Sequence, residues 1–194
     1  MPEITLGILG GGQLGSMLSV AAKKLKIKTI VYCENQDAPA QNFCDDFINA
    51  KYNDKDKIYD FANKVDVITY EFENIPFQTL NELNKLKTVL PKPSINRLVQ
   101  HRLAEKDFVN KLNIRTTRYV QIERKEDLLP LKDFLPGILK TTTLGYDGKG
   151  QHPIKDIDEI DSLKIDFKKE YILEKLVKLK KEISVIITRF GSNK

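Results

Sequence analysis

The run ITLGILGGGQLG, residues 4–15, constrains the fold more than any other stretch. An apolar segment ends in three successive glycines, and helical spacing follows at once. Leu14, Met17, Leu18, Ala21 and Leu25 recur on one face between Gln13 and Lys26. A strand, a glycine turn and a helix in that order open a parallel α/β unit. The pattern then repeats. KTIVYCE reads as a second buried strand, DDFINAKYND as a weaker third, DKIYDFANK as a short helix, and VDVITYEFE as another strand bounded by Asn74 and Pro76. Phe77, Leu80, Leu83 and Leu86 mark a further helix, and TVLPKPS is an extended segment stopped by its prolines. Strands separated by helices predict an open parallel sheet covered on both faces. Ser94 is expected to cap one helix that carries Ile95, Leu98, Val99, Phe108, Val109 and Leu112.

The texture changes from Arg115. TTRYVQI, GILKTTT, EYILEKL and EISVIITRF read as strands, KEDLLPLKDFL as a helix, and the charged VKLKK as a turn. Strands that follow one another with few helices predict an α+β, antiparallel second half. The expected organisation is an N-terminal α/β domain over residues 1–93, a connecting helix over 94–114, and a second domain over 115–194. A last apolar strand lying almost at the C-terminus leads to the expectation that the chain stops before its fold does.

Composition excludes several classes. The 194 residues carry 32 Lys+Arg against 27 Asp+Glu, a net charge of +5, and the lysines alternate with acids as in KYNDKDK. That is a solvated surface rather than the basic stripe of a nucleic-acid binder. No apolar run approaches the ~20 residues of a membrane span, and the N-terminus lacks the pattern of a signal peptide, so the cytoplasm is expected. Cys33 and Cys44 are too few for a disulfide framework and read as reduced thiols. His101 and His152 show no ligand or dyad spacing and read as surface residues.

Two glycine loops carry the chemistry. GGGQLG, Gly10 to Gly15, satisfies G-x-G-x-x-G between a strand and a helix, and Glu34 closes the next strand where a dinucleotide fold holds its ribose. Taken alone, that motif leaves open a dinucleotide site, another phosphate ligand or a structural turn. In LGYDGKGQ, Leu144 to Gln151, three glycines follow the strand that delivers Lys140. A lysine beside a glycine hairpin suits a polyphosphate: backbone N–H groups wrap it, the ammonium neutralises it, and the turn opens and closes. Glu174 and Glu182 flank a short basic turn, which by itself is only a charged hairpin.

In this order, GILGGGQLGSML, YEFENIP, HRLAEKDF, ILKTTTLGYDGKGQ and ILEKLV…EISV resemble the N5-carboxyaminoimidazole ribonucleotide synthases, ATP-grasp enzymes of purine biosynthesis. The resemblance runs from Ile4 to about Arg189. It implies an α/β pre-ATP-grasp domain with an open parallel sheet, followed by the lid part of an α+β ATP-grasp domain. It implies ATP with Mg²⁺, and bicarbonate and 5-aminoimidazole ribonucleotide as substrates, with a homodimer for the full-length enzyme. By the same resemblance ATP would meet Arg102, Lys140, the loop Gly145, Tyr146, Asp147, Gly148, Lys149, Gly150 and Gln151, the strand end Glu174, Lys175, Leu176 and Val177, and Glu182. Gln13, Leu14, Glu73, Tyr146, Asp147 and Lys149 would approach the imidazole nucleotide, with Asp147 handling the proton at the acceptor amine.

Thr143, Leu144 and Ser16 stand where the family usually has a basic residue, a glycine and a basic residue. The family's acidic metal ligands are expected beyond residue 194, so the chain alone is expected to be inactive, with Glu71 and Glu73 lining or bracing the cleft. Three rivals stay in view: a nicotinamide-dependent oxidoreductase built on GGGQLG and Glu34, a non-catalytic nucleotide-binding fragment, and an ATP-grasp ligase acting on another nucleotide.

Overall fold

The computed structural model describes residues 4–145 and 150–187. The chain divides into two units, Met1–Ile114 with Thr142–Leu144, and Arg115–Thr141 with Gly145–Lys194.

In the first unit the strands β1 (Thr5–Leu9), β2 (Lys28–Cys33), β3 (Asp46–Asn49), β4 (Val67–Tyr70) and β5 (Thr88–Val89) form a parallel sheet in the order β3-β2-β1-β4-β5. The helices α1 (Gln13–Lys24), α2 (Lys55–Asn63) and α3 (Phe77–Leu86) connect them. Apolar clusters cover both faces, which is why β2 is a continuous apolar run. Tyr32, Phe61, Ile68, Leu80 and Leu83 belong to one cluster, and Ile8, Val31, Cys33 and Ala40 to the other. Asp54 caps α2 by accepting from Lys57 N–H at 3.1 Å. The sheet order reverses between β1 and β4, so the loops leaving their C-terminal ends frame a cleft.

Helix α1 forms where its spacing predicts, but its apolar face is turned outward. Gly15, Ser16, Ser19 and Ala22 are its buried residues, while Leu14, Met17 and Leu25 are 56%, 60% and 71% exposed. The reason is close approach. A Cβ on Gly15 would lie 2.7 Å from the Gly10 carbonyl oxygen, so only small side chains fit on the inner side. Ser16 and Ser19 return their hydroxyls to the Gly12 and Gly15 carbonyls at 3.0 and 2.9 Å. Ser16, where the resemblance implies a basic residue, is here a small, buried hydroxyl.

The single helix expected from Ser94 is two, α4 (Pro93–Val99) and α5 (Arg102–Lys111). Lys92, not Ser94, precedes α4, with Pro93 in its first turn. The break falls at Gln100 and His101. His101 takes an extended backbone and caps α5 through Nδ1, which accepts from Ala104 N–H at 3.3 Å.

In the second unit β6 (Tyr119–Ile122), β7 (Gly137–Thr141), β8 (Gln151–Ile154) and β9 (Tyr171–Lys175) form an antiparallel sheet in the order β6-β9-β7-β8. One face packs Ile122, Leu139, Ile154, Tyr171 and Leu173 against Leu128 and Ile160. The helix expected over KEDLLPLKDFL is replaced by two short 3-10 turns, Lys125–Leu128 and Lys132–Phe134. Pro130 between them lacks the N–H a continuous helix would use. The strand expected over EISVIITRF is not formed across 182–187, and Ile183, Ile186 and Ile187 are more than four-fifths exposed. Residues 188–190 of that run lie outside the described residues. A strand persists only where a neighbour pairs its backbone, and no strand of the described sheet lies beside this segment. No described helix is long and apolar enough to cross a membrane.

Candidate functional site

In the first unit the loop Gly10–Gly12 leaves β1 and runs into α1, with Gly10 at φ 104°. Glu71, just past β4, lies over it, and its Oε1 accepts the Gly12 N–H at 2.8 Å. Glu34, past β2, accepts from Tyr52 N–H at 2.6 Å. Both features of the dinucleotide reading are thus engaged internally: a carboxylate holds the glycine loop, and the ribose acid braces Tyr52. Gly10, Gly12, Glu34, Tyr52, Glu71 and Phe72 are among the residues lining a cleft of about 330 Å³.

The YEFENIP segment is held from α4. The Glu73 carbonyl accepts from Asn96 Nδ2 at 3.0 Å and Gln100 Nε2 at 2.6 Å, and Gln100 Nε2 also reaches the Ile75 carbonyl at 2.7 Å. This clamp leaves the Glu73 side chain exposed, and Gln13 and Leu14 are exposed at the start of α1. Arg102 is fixed by its own N–H, which donates to the Thr142 carbonyl at 2.8 Å. Its Nε is buried with no hydrogen-bond partner among the described residues. One turn on, burial holds the Glu105 carboxyl above the usual carboxylate range. Arg102 and Lys106 pull it down, and Glu73 adds to the rise.

In the second unit side chains alternate across β7 and β9. Leu139 and Leu173 face the packed cluster, so Lys140 and Glu174 project from the other face. Lys140 Nζ lies 2.7 Å from Glu174 Oε2, with both side chains mostly buried. Lys175 serves structure: its Nζ donates to the Asp133 carbonyl at 2.6 Å. Its N–H bonds Arg118, and the Leu176 N–H bonds Pro136. Leu176 and Val177 are half exposed just past the strand. Glu182 is exposed in irregular chain.

Strands β7 and β8 form the expected hairpin, closed by Thr141 N–H donating to the Gly150 carbonyl at 2.9 Å. Gly150 sits at φ 71°, and a Cβ there would meet Thr141 Oγ1 at 2.5 Å. Leu144 takes φ 57°, the left-handed region in which a glycine is unstrained. Gly145 ends the described part of the loop entry, and exposed Gln151 pairs with Lys140 in register. Tyr146, Asp147, Gly148 and Lys149 lie outside the described residues. Among the described residues no three acids, histidines or cysteines gather to hold a metal ion, so none is assigned to Mg²⁺.

Sequence reasoning missed the Asn96 and Gln100 clamp, for which no local signal exists. It anticipated Glu71 only as a general brace.

Residues 3–100 match the model of the ribonucleotide synthetase preATP-grasp domain, and residues 107–194 match the ATP-grasp domain. The chain is 37% identical to the N5-carboxyaminoimidazole ribonucleotide synthase of Staphylococcus epidermidis over 95% of its own length and 50% of the relative's. It is 38% identical to that of Brucella melitensis, over 97% and 53%. The solved N5-carboxyaminoimidazole synthetase of Staphylococcus aureus, complexed with ADP, superposes with a TM-score of 0.84 at 34% identity, covering 91% of this chain and 48% of that one. The chain therefore spans about half the length of these relatives.

Proposed function

The chain belongs to the ribonucleotide synthetase family of ATP-grasp ligases, that of the N5-carboxyaminoimidazole ribonucleotide synthases, and from that premise we propose that it serves the ATP-dependent carboxylation of 5-aminoimidazole ribonucleotide by bicarbonate. A bicarbonate oxygen attacks the γ-phosphorus of ATP, giving carboxyphosphate and ADP. The exocyclic amine of the imidazole nucleotide then attacks the carboxyl carbon, phosphate departs, and the amine gives up a proton, to Asp147 in this reading. Mg²⁺ accompanies ATP by family resemblance.

The observation that carries the reading is the Lys140–Glu174 pair on the face of the second sheet that the apolar cluster leaves clear, beside the β7–β8 hairpin. A lysine already held at that strand end neutralises a phosphate without first being ordered, and positioning with charge neutralisation is most of what phosphoryl transfer needs. Glu174 then accepts from the base, with the backbone of Leu176 and Val177 beside it and Glu182 on the ribose. A buried Nε with no hydrogen-bond partner among the described residues supports the reading of Arg102 as a phosphate donor.

Calorimetric titration with ATP tests this. Saturable ATP binding, weakened about tenfold or more in Lys140→Ala, is expected. The chain alone should bind ATP without releasing phosphate at an enzymatic rate when bicarbonate and the imidazole nucleotide are added. NADH binding that depends on Gly12 and ignores Lys140 would overturn the reading in favour of a dinucleotide fold.

A further inference from the structure

Glu71 supplies the glycine loop with an anion of its own. Besides the 2.8 Å bond from Gly12 N–H, its Oε1 would lie 2.7 Å from a Cβ on Gly10 and 3.2 Å from one on Gly12. The left-handed Gly10 and the overlying carboxylate together require glycine at that turn. Glu71 cannot drift, because its N–H donates to the Leu9 carbonyl at 3.0 Å and so carries the β1–β4 ladder past the strand ends. Among the described residues, the cleft beside it is lined by a second acid, Glu34, and by no lysine or arginine. A phosphate entering there would face two carboxylates and find the Gly12 N–H already taken.

We propose that Glu71 is a positioning residue for the nucleotide acceptor: it occupies the phosphate place at the start of α1 and fixes the turn that delivers Gln13 and Leu14. The identity of the acceptor rests on the reading of the preceding subsection. Glu71 acts through the loop and not on the reacting atoms. What matters is therefore an acceptor oxygen of the right reach, not the charge.

The test is titration of the chain and three variants with 5-aminoimidazole ribonucleotide, and separately with ATP, with thermal unfolding as a check on folding. Losing a hydrogen bond to a carboxylate should lower affinity for the imidazole nucleotide about tenfold in Glu71→Ala, with ATP affinity unchanged. Glu71→Gln keeps an acceptor of the same reach and should restore binding. Glu71→Asp keeps the charge but is one methylene short and should behave like alanine.

Unchanged binding by Glu71→Ala overturns the proposal alone. So does a glutamine variant as weak as alanine, since the charge itself would then meet the ligand, or a parallel fall in ATP affinity. If Glu71→Ala does not fold, the glutamine and aspartate variants decide between reach and charge. A wild-type chain that binds ATP but not the imidazole nucleotide overturns the functional reading, and this proposal with it.

Discussion

Lys140 on β7 and Glu174 on β9 are two residues out of register, Lys140 opposite Ile172 and Glu174 opposite Ile138, and they meet diagonally at 2.7 Å. Diagonal neighbours on one face of an antiparallel pair are within reach of long side chains. With side-chain exposures of only 16% and 9%, neither charge is well solvated, and each lies within hydrogen-bond reach of the other. The pair is thus a store of oriented charge that a ligand can reapportion.

Removing Lys140 takes from the mostly buried Glu174 carboxylate its 2.7 Å cationic partner. Lys140→Ala is expected to lower unfolding free energy by about 3 kcal/mol, and the double change Lys140→Met with Glu174→Leu by much less. Urea unfolding of the three proteins checks this. Equal losses in single and double variants would show that the charges are solvated independently.

Gly150 closes the hairpin in a conformation and a space that both exclude a side chain. Gly150→Ala should cost about 2 kcal/mol, from left-handed strain and from the 2.5 Å approach to Thr141 Oγ1. Leu144→Gly relieves strain in the folded chain but frees the unfolded one, so its stability should stay within about 0.5 kcal/mol of wild type. Thermal melts distinguish them; a Gly150→Ala protein that melts like wild type would mean the hairpin closes another way.

Much of this architecture is legible in the amino-acid order. Strands β1, β2 and β4 are continuous apolar runs because helices cover both their faces, and that pattern is local. Hydrophobic spacing tells which residues of α1 share a face, but not which face meets the sheet. Gly15, Ser19 and Ala22 decide that, and their smallness matters only once the Gly10 carbonyl is in place. Pro130 is visible in the sequence, but the leucines around it outweigh it in a reading by periodicity. The grip of Glu71 on Gly12 spans 59 residues and that of Lys140 on Glu174 spans 34. The first depends on β4 lying beside β1, and the second on β9 pairing with β7, so neither is written in any local stretch.

The inverted α1 makes a direct comparison possible. Gly15→Ala would gain up to about 1 kcal/mol of helix propensity. Its new methyl, however, meets a backbone oxygen at 2.7 Å, which cannot swing aside as a side chain could. A net loss of about 2 kcal/mol is expected. Met17→Ala, on the 60% exposed side, should change stability by less than about 0.5 kcal/mol. Chemical denaturation of both variants reads the orientation of the helix, and the reverse ranking would mean that the apolar stripe is the packed side.

Glu105 provides a test in pH. Burial, reinforced by the charge of Glu73, raises its carboxyl above the usual range against the pull of Arg102 and Lys106. A carboxyl whose folded pKa is raised binds its proton more tightly in the folded chain than in the unfolded one. Its contribution is fully present below the unfolded value, and is lost as pH rises through the folded value. Near neutrality the ionised group is therefore slightly unfavourable to folding. Glu105→Gln keeps the shape and removes the charge. It should be more stable than wild type at about pH 7, by less than about 0.5 kcal/mol because the group remains partly solvated. The gap between the two should narrow as pH falls through the raised value toward the ordinary carboxylate range. Urea midpoints of both proteins at closely spaced pH values check this, and a gap that widens on acidification would give the carboxylate a net favourable pairing with Arg102 and Lys106 instead.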